Sequence, residues 1–569
     1  MNDQNPNGVL SRLRKLPRAV AAAFVCCFLA GYLAHLFAYT NIFPNPDGIS
    51  RVADAQQMTI SGRWFLHYAT AWNGFVQAPA VIGFFSILFL SLASVLTVSL
   101  LRVRAPVLGG LIGALMVVFP SVAYMNLYLF TASAYCFGIL LAVLSVWLAT
   151  RYRFGFLGGA VCLACAVGTY QAYLAVAVSL ALLWLILEGL EGERGAGKLL
   201  LAALQVLIFI GLSMGLYFLM LKIFLAVKEL SLLSYKGINA LGEGLSLKGL
   251  LSMIGLAYRQ FLQYFFVPRA FATYTGPAAV FGNAVLLLAG LWAFVELVRR
   301  KRCMKRPGAF ALTLLFCALL PLALNLTSLM GESMPIMRYS FVFAYVLALA
   351  LADRAAQSLP LAGKLSAQRT DEVGRKPASL QKKKGQTAPP PQAETPLPQK
   401  RALIPHLAAL FASLLLLLLS FQTDNTVYTM SATAHRATES FATRLVERVE
   451  STPGYVNGME VVIIGGFPRR VYYNQIEAFR ELEDYSNLSS TVTPLTKQVY
   501  YYLNDWLNVP WPEPSEDTLK AVSASAVFQS MPLYPNDGSI LIEGDRVIVK
   551  LASKYTPKKD YEIEYENRR

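Results

Sequence analysis

Acid is scarce in this chain. Its 569 residues carry 34 Asp and Glu against 50 Lys and Arg, and charged residues of both signs make up only 15%. Cysteine is absent after Cys317, so no disulfide framework holds the last 250 or so residues. Cys162 and Cys165 have CxxC spacing, but they lie in an apolar run without a second pair, which argues for packing rather than zinc or redox work. Gly465-Gly466 does not complete a dinucleotide fingerprint. The net charge of +16 suggests nucleic acid at first sight. Most of the excess sits between apolar runs, where membrane topology puts it, so no nucleic-acid partner is expected.

Apolar sequence fills the space. Hydrophobic residues make up 55% of the chain and the mean hydropathy is +0.47. A soluble domain lies nearer 45–50% apolar, and crossing a bilayer takes ~20 apolar residues. The fold class is therefore a mostly α, polytopic membrane protein, with about eleven transmembrane helices and a small α/β domain at the C-terminal end.

Arg12, Arg14, Lys15 and Arg18 precede the first run, Ala19–Thr40. It is long, lacks a small-x-small exit and is followed by further spans, so it reads as a first transmembrane helix rather than a cleaved signal. Its basic flank places the N-terminus in the cytoplasm. Spans at Pro79–Leu101, Ala105–Pro120 and Tyr128–Thr150 follow, with Arg102-Val103-Arg104 and Arg151-Tyr152-Arg153 inside and an uncharged outer turn at Ser121–Leu127. Residues 154–187 form one apolar stretch of about 34 residues. As one helix they would be ~50 Å long, too long for a ~30 Å hydrocarbon core. The stretch must turn, and Gly168-Thr169-Tyr170-Gln171-Ala172-Tyr173 is its polar centre, expected outside. Glu188, Glu191 and Glu193 weaken the basic signal of the next inner loop.

Leu199–Leu225 is span seven. Leu245–Phe266, with Lys248 and Arg259, reads as an interfacial amphipathic helix. Span eight, Ala278–Val298, leads into Arg299, Arg300, Lys301, Arg302, Lys305 and Arg306, the strongest cytoplasmic marker. Spans at Ala309–Ser328 and Tyr339–Ala352 complete residues 1–352. Residues 353–401, with Lys382-Lys383-Lys384 and Pro389-Pro390-Pro391, have a linker's composition, and their charge suits an anionic lipid surface. Ala402–Phe421 is the last span. Residues 422–569 carry 15 Lys and Arg against 20 Asp and Glu, and eleven crossings put them outside. There, Glu460–Gly466 reads as a buried strand and Asn474–Glu483 as a helix. Ser539–Ile542 and Arg546–Val549 read as a hairpin. Trp506 and Trp511 are core aromatics before they are sugar contacts, and the Asn487-Leu488-Ser489 sequon carries no weight.

This topology gathers the notable polar residues on the outer side. Asp47, Arg51, Asp54, Arg63 and Trp64 lie in the first outer loop, Tyr170 and Gln171 at the central turn, and Glu332 and Arg338 before span ten. Ionisable groups this close to lipid are expensive and mark working sites. Arginine binds phosphate bidentately and stays charged near lipid. A carboxylate beside arginines stays ionised and can take a proton from an attacking hydroxyl, while a phosphate held by arginine can depart. These parts suit glycosyl transfer from a lipid-phosphate sugar. They also suit a plainer account, in which Asp47 and Arg51 are an i,i+4 surface pair in a Pro-Asp-Gly turn.

The arrangement as a whole resembles the Gtr-type bacterial membrane glucosyltransferases of the GT-C superfamily. The residues carrying the likeness are Asp47-Gly48-Ile49-Ser50-Arg51, Gly62-Arg63-Trp64, Tyr170-Gln171-Ala172-Tyr173 and Tyr534-Pro535-Asn536-Asp537-Gly538-Ser539-Ile540. The resemblance implies an inverting, metal-independent transferase. It would move a hexose, by family default glucose, from a polyprenyl-phosphate donor to a surface polysaccharide such as O-antigen or to a lipid-linked glycan. Asp47 would be the base. Gly48 stands where relatives often have a second acid, so Asp54 is the reserve. Arg51, Arg63 or Arg338 would hold the phosphate, with Trp64, Tyr170, Gln171 and Glu332 completing the substrate site. The implied setting is the bacterial cytoplasmic membrane, with no cofactor beyond the lipid-linked co-substrate. A flippase and a donor synthase would act in the same pathway. The competing classes are a transporter or flippase, a polysaccharide polymerase or ligase, and a non-catalytic scaffold. A transporter would show repeats and paired broken helices, whereas one interrupted segment is visible.

Overall fold

The computed structural model describes residues 16–42, 55–192, 194–232, 247–268, 276–330, 334–357, 397–467 and 499–556. It is a mostly α, polytopic membrane protein. Among the described residues ten helices are long and apolar enough to cross a membrane, and one shorter apolar helix, Gly155–Thr169, joins them. The elements are α1 Arg18–Thr40, α2 Pro79–Leu100, α3 Pro106–Val118, α4 Pro120–Leu127, α5 Leu129–Arg151, α6 Gly155–Thr169, α7 Tyr173–Glu191 and α8 Ala196–Val227. They continue with α9 Leu247–Phe266, α10 Pro277–Arg300, α11 Pro307–Leu324, α12 Val342–Gln357 and α13 Leu397–Glu450.

Small residues let the first helices close on one another. On α3, Gly109 and Gly113 sit one turn apart on one face; a Cβ at either would come within 2.5 Å of the Ala19 or 2.2 Å of the Ala23 carbonyl oxygen of α1. This small-xxx-small spacing allows backbone approach where lipid supplies no hydrophobic drive between helices. The uncharged turn expected at Ser121–Leu127 is instead a buried helical turn, α4, because Pro120 presets helical φ at its first position. The break expected in residues 154–187 falls at Tyr170–Ala172, between α6 and α7.

The helix ends segregate into two groups. One end carries the loop after α1, the α6–α7 break and the turns around Arg338. The opposite end carries the basic turns and an ion-pair cluster. There Arg102 pairs with Glu188 and Glu191, at 3.2 Å each, Arg194 pairs with Glu188 at 2.9 Å, and Arg354 pairs with Glu191. Glu188 and Glu191, which diluted the basic signal, are thus partners of the arginines around them.

The helix α13 runs unbroken from Leu397 to Glu450, past the 421/422 boundary expected from composition. Its last turns bury Phe441, Ala442, Leu445 and Val449 against a three-stranded sheet. The strands are β1 Glu460–Ile464, β2 Ile540–Glu543 and β3 Arg546–Lys550, in the order β1-β3-β2. The pair β2–β3 is the expected hairpin, and β1 lies parallel to β3. Side chains alternate across a strand. Val461, Ile463, Val547 and Val549 therefore face α13, while Val462, Ile464 and Ile548 face α14 (Glu516–Ala524) and α15 (Ala526–Ser530). Trp511 is buried in the core on the α13 side, and Trp506 is partly buried there. The helix expected at Asn474–Glu483 lies outside the described residues.

Candidate active site

The loop after α1 is knotted onto the α6–α7 break. Gly62 ends a single 3-10 turn with φ +78, and Met58 and Arg63 pair across it. A Cβ on Gly62 would lie 2.7 Å from Gln171 Nε2 and 2.8 Å from Tyr217 Oη. Those two side chains hold the knot: Gln171 Nε2 donates to the Ser61 carbonyl at 2.8 Å, and Tyr217 Oη of α8 donates to the Gly62 carbonyl at 3.1 Å. Lys228 Nζ donates to Gln57 Oε1 at 2.9 Å, and the Phe65 N–H donates to the Gly168 carbonyl at 2.9 Å. Each such bond contributes about 1 kcal/mol net, so together they fix the loop's backbone.

The knot aims Arg63 at the break. Its guanidinium carbon lies 4.7 Å from the centroid of Tyr170, and Nη1 donates to Tyr135 Oη at 3.4 Å. Tyr135 stacks on Tyr170 at 4.9 Å and 26°. Two planar groups therefore hold the cation in one orientation. The neighbouring Trp64 turns inward, stacks on Phe224 at 5.5 Å and passes edge-on over Gly168, where any larger residue would strike it.

Arg338 forms a second station at the same end. It joins two 3-10 turns, Pro335–Met337 and Tyr339–Phe341, which are anchored by Ser121 Oγ to the Pro335 carbonyl (2.8 Å) and Tyr339 Oη to the Met116 carbonyl (3.0 Å). Arg338 is only 5% exposed, with Tyr264 of α9 and Tyr124 of α4 beside it. Burial pulls its guanidinium down to about 10, while the two tyrosines pull it back up. It remains a cation at neutral pH, and an enclosed cation favours an anion beside it. Tyr339 lies next to Tyr173, whose ring meets Tyr135 and Tyr170 edge-on. Phe119 meets the rings of Tyr264 and Tyr339, so aromatic groups line the region around both arginine stations.

Of the residues singled out from sequence, Arg63, Trp64, Tyr170 and Gln171 come together, and Arg338 stands at the same end. Asp47, Arg51, Asp54 and Glu332 lie outside the described residues. In the C-terminal domain, Arg448 of α13 ties down the Tyr534–Ile540 segment by donating to Asp537 Oδ1 and the Pro535 carbonyl, both at 2.6 Å. One buried pair was not singled out from the sequence. His35 and Asp424 are both fully buried, 4.0 Å apart. Asp424 follows the Leu414–Leu419 run and was assigned to the soluble tail, so only its proximity to that run signalled its burial.

This fold defines a multi-pass membrane protein in which Arg63 and Arg338 share one end of the helix bundle with a group of tyrosines, and whose chain ends in a sheet-containing tail. The family model for glucosyl transferase GtrII matches residues 36–351, more than half of the chain, and the protein belongs to that family. It is a membrane glycosyltransferase. No curated protein matches, and no solved structure matches.

Proposed function

We propose that this enzyme is an inverting, GT-C-type transferase. It takes a hexose, glucose by family default, from a polyprenyl-phosphate donor and places it on a surface polysaccharide or lipid-linked glycan. The observation that carries the reading is the seating of Arg63 on Tyr170, which joins the first loop to the α6–α7 break through a cation suited to phosphate. Arg338 supplies a second cation on the same side.

In this reading the acid in the first loop, Asp47 or else Asp54, accepts the proton of the acceptor hydroxyl. The hydroxyl oxygen attacks the anomeric carbon from the face opposite the phosphate. The bond from that carbon to the phosphate oxygen breaks, and its electron pair leaves with the polyprenyl phosphate. Arg63, Arg338 and Arg51 stabilise the growing phosphate charge. Trp64, Tyr170, Gln171 and Glu332 frame the substrate, and no metal is required for the charge balance. The setting is the bacterial cytoplasmic membrane. The basic turns at Arg102, Arg151 and Arg299–Arg306 face the cytoplasm, and the loop end and the tail lie outside.

The test is transfer by the full-length protein in proteoliposomes. Labelled glucose should move from polyprenyl-phosphate glucose to a lipid-linked glycan with inversion at the anomeric carbon, read by NMR. Transfer from a nucleotide sugar in the absence of the lipid donor would overturn the reading, as would retention of configuration.

A further inference from the structure

A buried chain of polar side chains crosses from α1 to α13 near the first loop. His35 Nε2 faces the Val117 carbonyl at 2.8 Å, so that nitrogen carries the proton. In the neutral ring Nδ1 then accepts, and Tyr428 Oη donates to it at 2.8 Å. Tyr428 Oη in turn accepts from Asn126 Nδ2 at 2.9 Å, and Asn126 Oδ1 accepts from Tyr39 Oη at 3.1 Å. Four helices, α1, α3, α4 and α13, meet in this one directional chain. Beside it the Asp424 carboxylate, 4.0 Å from His35 Nδ1, has no hydrogen-bond partner for either oxygen among the described residues and is fully buried.

A buried polar chain whose members satisfy one another fits only one alignment of its helices, and specifying register is the best-attested use of such groups. Register is what α13 lacks. Leu414–Leu419 presents the same side chain at every position, so sliding by a turn, ~5.4 Å, would change little along that run. Asp424 and Tyr428 are one turn apart and face a unique complement. The same helix continues into the tail domain, where Phe441, Ala442, Leu445 and Val449 are part of the core. At the other partner, His35 lies less than two turns from the end of α1, from which the first loop departs.

We propose that His35 and Tyr428 are positioning residues for glucosyl transfer: the hydrogen bond between them keys α13 against α1 and so fixes the tail domain relative to the loop that carries the reacting acid. The inference rests on that loop being catalytic. It assigns the tail a fixed place in the working enzyme and gives a buried hydrogen-bond chain a task.

The test combines register and turnover in the full-length protein. The Asn425 side chain reaches the Ala34 carbonyl at 3.5 Å, so cysteines at positions 34 and 425 of a chain with its seven native cysteines replaced report register by oxidative cross-linking. Tyr428→Phe, which keeps the ring and loses the hydroxyl, should lower the 34–425 cross-link several-fold and raise one between 34 and 429. Transfer turnover should fall about tenfold while KM for polyprenyl-phosphate glucose stays within twofold. An unchanged cross-link, or unchanged turnover, overturns the proposal. If Tyr428→Phe does not reach the membrane, His35→Phe, which removes the other partner of the same bond, carries the same two readouts. Asp47→Asn and Asp54→Asn serve as the separate arm. Full activity in both sinks the reading of the loop, whereas loss there with an indifferent Tyr428→Phe sinks only the key.

Discussion

The guanidinium of Arg63 lies over the ring of Tyr170, 4.7 Å from its centroid, with Tyr135 stacked on that ring. Residues 107 positions apart in the chain thus form one unit. Its worth is geometric. Exposed cation–π contacts contribute about 0.5–1 kcal/mol, and orienting a charge for a phosphate matters more to rate than that. Replacing Arg63 by Ala should cut transfer about a hundredfold or more. Arg63→Lys keeps the charge but loses the planar stack, and should cut it about tenfold. Tyr170→Phe keeps the ring and should stay close to wild type, while Tyr170→Ala should resemble Arg63→Lys. Initial rates in proteoliposomes, normalised to folded protein, check the order.

The knot that aims Arg63 depends on glycine at one position. At Gly62 φ is +78, and the space a Cβ would fill is already taken by Gln171 Nε2 and Tyr217 Oη. A left-handed conformation costs a non-glycine residue about 1–2 kcal/mol before any clash is counted. Gly62→Ala should therefore loosen the loop rather than unfold the bundle. The expected result is a loss of transfer of about tenfold or more with little change in melting temperature. Limited proteolysis should show earlier cleavage between residues 55 and 65.

Much of this was legible because lipid is an unforgiving solvent. The α6–α7 break could be read because 34 apolar residues cannot span a bilayer as one helix, and Arg63 and Trp64 stood out because charge and aromatic groups at that depth need a reason. The strand at Glu460–Ile464 followed from a short continuous apolar run ending in a Gly turn, and the hairpin at 540–550 from two apolar runs flanking a Glu-Gly-Asp turn. What escaped was set by distant packing. No Gly or Pro lies between Pro405 and Pro453, so nothing local ends α13 at 421; it continues because its far end is buried on the sheet. His35 and Tyr428 are 393 positions apart, and no pattern in one chain pairs them. Glu188 and Glu191 likewise read as a diluted topology signal until Arg102 and Arg354 were found beside them.

Arg338 gives a pH test with a definite sign. Burial lowers its pKa to about 10, so the charged form is disfavoured by folding. A cation whose pKa falls on folding opposes stability while charged, and that penalty is relieved as pH rises through the folded value. Function runs the other way, since the charge that meets phosphate is lost over the same range. In the wild type this lies above pH 9, and transfer should be flat from pH 7 to 9 as far as this group governs it. A lysine begins about two units lower and suffers the same burial. Arg338→Lys should therefore lose activity steadily as pH rises from 7 to 9. A pH–rate profile parallel to wild type would show that the charge at 338 is not used.

The opposite end of the bundle offers the contrasting case. Asp353 on α12 is 1% exposed, and its two carboxylate oxygens accept the backbone N–H groups of Arg104 and Ala105, each at 2.9 Å. Gln357 donates to it as well, and Arg354 Nη2 donates to the Leu101 carbonyl at 2.9 Å. The carboxylate thus satisfies the turn just before Pro106, where α3 begins and would otherwise leave donors without partners. Asp353→Ala removes both acceptors and strands two part-buried N–H groups, at a cost of about 1 kcal/mol each. Asp353→Asn keeps one good acceptor and should cost less. Asp353 lies at the end opposite the arginine stations, so the two variants should melt earlier, the alanine variant first, while turnover per folded molecule stays within twofold of wild type. Scanning fluorimetry in detergent alongside normalised transfer rates separates the two effects, and a turnover deficit at full fold would place Asp353 in the working machinery instead.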